Sequence, residues 1–293
     1  MREVDWVAHR RHRAQVAEDM GRWLGLLDED WVPMMDLPQE TSMSWPTTRG
    51  SVDSIEVTVP VRTPTGGVHA VVDELVAEHL GVVDAATGKL VPVTGPARFL
   101  AIERPGGPRR MARVTHVVAD GDAEAPHTLT IHAVSENSYL ELLPCPSSPT
   151  TWAKTFTRFD RDWVGDETKR NLFDKPRDLA PMRMIVVADG ATVHGPADEV
   201  IYRLVSESVE AVCRVAGIKE DPPYVVVRVP AAHAAGELFL RPTDQTIWQE
   251  ISDACMSAGV SVVSSLWWPG DDPVPDKALQ LPTLVFTVKQ EGA

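Results

Sequence analysis

The sequence predicts an α+β protein built from strand-rich domains that each carry one or two helices. Two patterns indicate this class. Residues 55–61 alternate apolar and polar side chains with the period of two that is typical of a half-buried strand. Residues 198–216 place their apolar side chains at helical spacing, between Pro196 and Gly217, which are typical of a helix start and stop. The chain has no internal repeat or low-complexity tract.

Composition divides the chain into four parts. The residues after position 144 are rich in proline and carry five large aromatic side chains up to position 173, so we expect a rigid, extended connector whose rings are buried against their neighbours. The predicted parts are an N-terminal arm (1–50), a strand-rich α+β domain (51–145), a Pro/Trp-rich connector (146–181) and a second α+β domain (182–293).

The arm is predicted to contain a helix over residues 7–27, because its apolar residues recur every three or four positions. The basic cluster at residues 9–13 lies on this helix and is interpreted as a solvated face rather than as a phosphate contact. Proline at positions 38 and 46 then excludes a continuous helix in the rest of the arm.

The two domains are predicted to mix strands and helices in chain order. In the first domain, Pro60 favours an edge position for its strand. The first domain has predicted strands at 55–61, 98–104, 111–118 and 128–134 and helices at 68–80, ended by Gly81, and at 137–143. The second has predicted strands at 184–187, 224–229, 260–267 and 284–288 and helices at 198–216 and at 247–258, ended by Gly259.

The charge and the cysteines of the sequence indicate which partners and which compartment are to be expected. The 293 residues include 42 acidic and 28 basic side chains, and a net charge of −14 argues against binding to a nucleic acid backbone. We expect neither a membrane-spanning helix nor a signal peptide. Cys145, Cys213 and Cys255 cannot close a disulfide framework among themselves, and Cys213 and Cys255 are expected in the core of a protein made in a reducing compartment.

The sequence contains none of the common catalytic motifs. The stretch 81–90 looks like a phosphate loop, but its spacing is wrong and Leu90 stands where a magnesium-binding hydroxyl is needed. His116 and His132 are expected to face one another across a hairpin, without the further ligands that a zinc site requires. We therefore predict no enzyme activity, no cofactor and no metal.

One alternative function, which involves a glycan, stays open. Tryptophan-rich grooves stack sugars, and Asp160, Asp162 and Asp166 lie beside Trp163 in the sequence. A glycosidase needs two such carboxyl groups across the scissile bond. The alternative function is thus a Trp-rich polysaccharide-binding or glycan-hydrolysing protein that acts on a host cell envelope.

Two stretches together resemble a known family. The first is Thr128–Ile131 followed by Ser138–Leu143. The second is the helix from Ile247, the turn Trp267-Trp268-Pro269-Gly270-Asp271-Asp272-Pro273, and the strand entered through Leu281-Pro282-Thr283. In this order they resemble the minor tail proteins of siphoviruses that infect actinobacteria, which are regarded as tail-tip or baseplate hub components.

The resemblance implies tail-hub-like domains, which are small β-barrel or sheet units with packed helices, and a structural role without catalytic residues. It implies a homotrimer around the tail axis, made in the host bacterial cytoplasm and located at the virion tail tip. Its expected partners are the distal tail ring, the tape measure and receptor-binding components. Large aromatic side chains anchor interfaces, so the interface candidates are Trp45, Trp152, Trp163, Trp267 and Trp268. A host-encoded scaffold outside any virion stays open as well.

Overall fold

The structure is a computed structural model, and its elements confirm an α+β fold with strand-rich, mostly antiparallel sheets and few helices. It describes residues 3–48, 50–63, 66–76, 81–83, 85–92, 95–122, 126–147, 192–230 and 236–291. The helices are α1 (Trp6–Met20), α2 (Val71–Leu75), α3 (Ser138–Leu142), α4 (Ala197–Val215) and α5 (Ile247–Ala258). The strands are β1 (Trp23–Leu27), β2 (Pro33–Asp36), β3 (Ser42–Ser44), β4 (Ser54–Pro60), β5 (Gly81–Val83), β6 (Leu90–Pro92), β7 (Phe99–Glu103), β8 (Arg110–Gly121), β9 (Pro126–Ser135), β10 (Val193–Pro196), β11 (Tyr224–Val229), β12 (Glu237–Leu240), β13 (Val260–Trp267) and β14 (Thr283–Gln290).

The larger sheet has seven strands in the order β2-β1-β7-β8-β9-β4-β3, and every pair in it is antiparallel. The alternation predicted around residue 55 is confirmed, since Ile55, Val57 and Val59 are completely buried while the residues between them are not. These side chains pack with Leu129 and Ile131 of the neighbouring β9 in a core on one face of the sheet.

The C-terminal part contains a three-stranded mixed sheet in the order β11-β14-β13. β11 runs parallel to β14, and β13 runs antiparallel to it. α4 and α5 pack on this sheet with the apolar faces that their spacing predicts. α5 begins with a capping box between Thr246 and Gln249 and ends at Gly259, whose φ of 67° is the left-handed conformation that glycine adopts without strain.

One core joins the two predicted domains. It contains Phe99 and Met111 from the seven-stranded sheet together with Val205 of α4, Ile251 of α5 and Phe286 of β14. The apolar surface of the large sheet therefore packs against that of the C-terminal helices and strands, and this contact removes both surfaces from water.

The predicted N-terminal arm is not a separate part, because residues 23–44 supply β1, β2 and β3 of the seven-stranded sheet and α1 packs on β1. The helix stops at Met20, where Gly21 takes a left-handed conformation with φ 78°, and does not reach residue 27. Residues 23–27 instead form β1, which lies between β2 and β7. Gly25 is required here, since a Cβ atom on it would lie 2.4 Å from the ring of Trp23.

Two further expectations for the first domain are corrected. The helix predicted over 68–80 covers only Val71–Leu75, and Gly81 opens β5 instead of ending a helix. β4 lies between β9 and β3, so it is not an edge strand. β3 pairs only with Glu56–Thr58 of β4, and Pro60 therefore needs no N–H group on the side of β3.

The predicted strand at 184–187 and almost all of the connector lie outside the described residues. No helix in the described part of the chain is long and apolar enough to cross a membrane.

Candidate functional site

A buried tryptophan lies where α1, the seven-stranded sheet and the C-terminal sheet meet. Trp268 follows the last residue of β13 and is completely buried. Its ring centroid lies 5.8 Å from that of Trp6 on α1 and 5.9 Å from that of Trp23 on β1. Its Nε1 donates a hydrogen bond of 2.9 Å to the carbonyl oxygen of Trp31. One side chain therefore contacts three separate parts of the chain, and we call its surroundings the Trp268 joint.

Two buried arginines lie against the ring of Trp268. The guanidinium carbon of Arg109, just before β8, is 3.9 Å from the ring centroid. That of Arg13, on α1, is 4.7 Å from it. Both arginines are almost completely buried. A cation over an indole ring is attracted by the negative face of the ring, more strongly when water is excluded.

Two carboxylates balance the two arginines. Asp271 accepts hydrogen bonds of 2.7 and 3.2 Å from Arg109 and of 3.4 Å from Arg13. Glu103 of β7 accepts from the Nε atoms of the same two arginines, at 2.9 Å from Arg109 and 3.1 Å from Arg13. Burial alone would raise the pKa of Asp271, but the hydrogen bonds and charge of Arg109 hold it below its ordinary value. The joint thus contains two buried positive and two negative charges.

His9 completes the joint as a neutral imidazole. Its ring lies 5.3 Å from that of Trp268, and its Nδ1 is 2.6 Å from Nη1 of Arg13. Because arginine can only donate, Nδ1 must accept and the ring proton belongs on Nε2. Burial and the charge of Arg13 lower the pKa of His9 from 6.5 to about 4.

We expect this histidine to make stability depend on pH. Between pH 6.5 and about 4 the unfolded chain protonates His9 and the native joint does not, so unfolding takes up a proton and stability falls as the pH falls. His9→Asn keeps an acceptor for Arg13 and does not titrate. Urea unfolding across this window should give a shallower pH dependence for the variant, and an identical slope for both proteins would contradict the prediction.

The joint connects α1, the seven-stranded sheet and the C-terminal sheet through buried charges. The arginines and carboxylates of the joint are engaged with one another as ion pairs. The described part of the chain contains no group of three or more His, Cys, Asp or Glu side chains that could hold a metal ion.

The predicted interface tryptophans have different environments. Trp268 and Trp45 are buried within the chain, Trp45 in the core of the large sheet, and neither offers surface to a partner. Trp267 is half-buried, and its Nε1 donates to the carbonyl oxygen of Asp272. Trp152 and Trp163 lie outside the described residues, as do the aspartates beside Trp163.

The basic cluster at 9–13 is not simply a solvated face, because Arg13 is directed into the joint. Sequence reasoning missed Arg13, Arg109 and Glu103, whose partners are distant along the chain. Asp271 could have been found, since its Oδ2 accepts from the backbone N–H of Trp268, three residues earlier, a local bond that short acidic side chains make.

Other sequence expectations about side chains are confirmed. His116 and His132 lie opposite one another on β8 and β9 with their rings stacked 4.4 Å apart. Cys213 and Cys255 are buried and form no disulfide, and the same holds for Cys145. In comparisons with known proteins, no family model matches the chain and no curated protein is significantly similar to it.

Proposed function

We propose that this chain is a structural virion protein, a tail-tip or baseplate hub subunit of a siphovirus that infects actinobacteria. In this role it forms a homotrimer around the tail axis and anchors the distal tail ring, the tape measure and the receptor-binding components. It is made in the host cytoplasm and ends at the virion tail tip. The trimer and the named partners rest on the resemblance of the sequence.

The main support for this proposal is where the motif of the resemblance lies in the structure. The segment Trp267–Pro273 is the most particular part of the resemblance, and it supplies Trp268 and Asp271 to the joint. A residue set that fixes how two sheets and a helix meet is what a load-carrying subunit requires. The chemistry of the joint, ion pairs around a stacked ring, supports a structural role over a catalytic one.

An open strand edge supports assembly with other chains. β7 pairs with β8 only as far as Arg113, so in the described part of the chain residues 115–121 have a neighbouring strand on the β9 side alone. Val118 in this stretch is about half exposed. Unpaired N–H and C=O groups along an edge are a template for pairing with another chain.

Particle composition tests the proposal directly. Gradient-purified particles from the source are analysed by quantitative mass spectrometry. We expect this chain at a few copies per particle, far below the major tail protein. Its absence from the particles would overturn the structural role.

Among the five interface candidates, Trp267 is the described one that is half-buried and so has surface to offer a partner. We expect Trp267→Ala to weaken incorporation into particles while monomer unfolding changes little, because truncating a buried interface tryptophan costs about 2 kcal/mol or more of binding. Complementation with the variant gene, followed by counting copies per particle, measures this. Normal incorporation would place the interface elsewhere on the surface.

A glycan-directed function is the second candidate. It predicts that the isolated chain retains or releases envelope polysaccharide, and that changing Trp163 or Asp162 abolishes this. Sedimentation of the chain with purified cell walls separates the two candidates, because a hub subunit without further ligands stays in the supernatant.

A further inference from the structure

The second half of β8 is an open strand edge. β7 pairs with β8 as far as Arg113, and beyond it the N–H of Val114 donates to the carbonyl oxygen of Arg98 at 2.9 Å. Among the described strands, only β9 pairs with residues 115–121. These residues are exposed apart from Val117, which is half-buried. Their backbone groups on the β7 side are therefore available to another strand.

This edge lacks the features that protect other strand edges of the same sheet. β2 and β3, at the two ends of the seven-stranded sheet, are only four and three residues long, and β2 begins with Pro33. Short strands, proline and lysine are the usual means by which proteins prevent edges from pairing between molecules. Residues 115–121 contain no proline, lysine or arginine. The edge of β8 is thus suited to pairing with a second strand.

Geometry selects one register for two copies of this edge. β8 pairs regularly with β9 from His116 to Asp120, and the register shifts at either end of this stretch. When two such stretches pair antiparallel, they overlap completely only if Val118 lies opposite Val118 of the second copy, on a two-fold axis. Val118 is also the midpoint of the open residues 115–121. A two-fold contact between identical patches is the commonest way in which two copies of a chain associate.

In this register the outer faces of the two copies are complementary in charge. His116 lies on the outer face, where its ring stacks on that of His132 at 4.4 Å. Val118 and Asp120 share this face, because side chains alternate along a strand. Two positions before the axis is His116 and two positions after it is Asp120, so each histidine lies opposite an aspartate of the other copy. The imidazole N–H donates and the carboxylate accepts, and the two-fold axis forms this pair twice.

The apolar side chains of the edge also match in this register. Val117 packs against the core of the large sheet, whereas Ala119 is exposed although its neighbour Leu129 on β9 is completely buried. In the two-fold pair, Val117 of one copy lies opposite Ala119 of the other. Val118, which is 49 % exposed, lies opposite its own equivalent at the axis. Pairing therefore removes apolar surface from water on both faces of the strand.

We propose that β8 is a dimerisation edge, which pairs antiparallel with β8 of a second copy of this chain about a two-fold axis at Val118. The proposed hub function also draws on this open edge, but the contact is inferred from the residues of β8 alone and needs no virion. A two-fold contact joins two copies, so the homotrimer uses another surface. A pair of five to seven residues a side is small for an interface, and we expect a weak dimer with a Kd of about 0.1 mM.

Sedimentation equilibrium of the full chain from about 5 to about 500 μM tests the proposal, and we expect a monomer–dimer equilibrium. Val118→Lys is the informative variant. It brings two ammonium groups together at the axis, and like charges directly opposite one another destabilise strand pairing. We expect only monomer at every concentration. The circular dichroism spectrum and the urea midpoint should stay unchanged, because the side chain is half exposed in the monomer.

Val215→Lys is the matched control. It makes the same change on α4, at a position that is 84 % exposed and far from β8 in the sequence. The chain carries a net charge of −14, so one added positive charge lowers the general repulsion between two copies. We expect this variant to dimerise at least as well as the unchanged protein.

Exchanging the two charged positions tests the register. Asp120→His alone sets two imidazoles opposite one another, and we expect it to weaken the dimer about threefold to tenfold. Adding His116→Asp to it exchanges the two side chains, and each imidazole again lies opposite a carboxylate of the other copy. The double variant should therefore recover the original Kd. Failure of this recovery would contradict the register centred on Val118.

Monomer alone at all concentrations would overturn the proposal. Association that Val118→Lys leaves unchanged would also overturn it. A trimer that this variant does not affect would exclude the two-fold contact while agreeing with the hub function. A dimer that the variant abolishes, formed by a chain that is absent from the particles, would establish the contact and overturn the hub function.

Discussion

Trp268→Ala is expected to lower the free energy of unfolding by about 3–5 kcal/mol, the range for removing a large aromatic side chain from a core. The ring is completely buried, is stacked by Arg109 and bonds through Nε1 to Trp31. Its loss leaves a cavity between α1 and both sheets and removes the apolar support of two buried cations. Urea unfolding followed by circular dichroism measures the change.

The adjacent residue is the matched control. Trp267→Ala removes the same side chain from a half-buried position, where its Nε1 donates to the carbonyl oxygen of Asp272. We expect it to cost at least 2 kcal/mol less than Trp268→Ala. Equal losses would contradict the assignment of Trp268 to the joint. For the same reason, changing both tryptophans together would report on folding and not on assembly alone.

Arg109→Ala is the second change with a large expected effect, a loss of about 3 kcal/mol in the free energy of unfolding. The guanidinium is 95 % buried and bonds to Asp271, Glu103 and the carbonyl oxygen of Leu266. Its removal leaves two carboxylates, each about one-fifth exposed, with only Arg13 as a cation. Breaking a buried ion pair from one side costs more than the pair contributes, because the remaining charge keeps its desolvation penalty.

Two variants separate charge from geometry at this position. Arg109→Lys keeps the charge but loses the two-point contact with Asp271 and the planar stacking on Trp268, so we expect an intermediate loss. Arg214→Ala is the surface control, since its pair with Glu210 on α4 is more than half exposed on both sides and contributes about 0.5 kcal/mol or less. If Arg109→Ala costs no more than Arg214→Ala, the joint does not stabilise the fold.

Local patterns predicted most elements of the fold because their cause is local. The alternation at β4 and the helical spacing of α4 and α5 reflect which side chains must be removed from water, and glycine and capping residues mark the ends. The patterns failed at residues 23–27, where an apolar run of five suits a helix or a fully buried strand equally well. In the structure, residues 23–27 form a strand because all five are buried there, between β2 and β7.

The joint could not be predicted in the same way. Arg13 and Asp271 are 258 positions apart, and Arg109 and Asp271 are 162 apart, so no sequence spacing relates them. A basic cluster on a helix is most often solvated, and only the packing of α1 against Trp23 and Trp268 brings two of its members, His9 and Arg13, into the joint.

The sequence by itself determined the α+β class, the position of the described helices and of half of the described strands, and the facing pair His116 and His132. These follow from periodicity and from the backbone preferences of glycine and proline, which act within a few residues. Only the tertiary structure decided that residues 23–44 add three strands to a sheet and that Trp268 is core while Trp267 is half-buried. The reason is that burial of a given side chain depends on which distant surface covers it, and that surface exists only after the chain has folded.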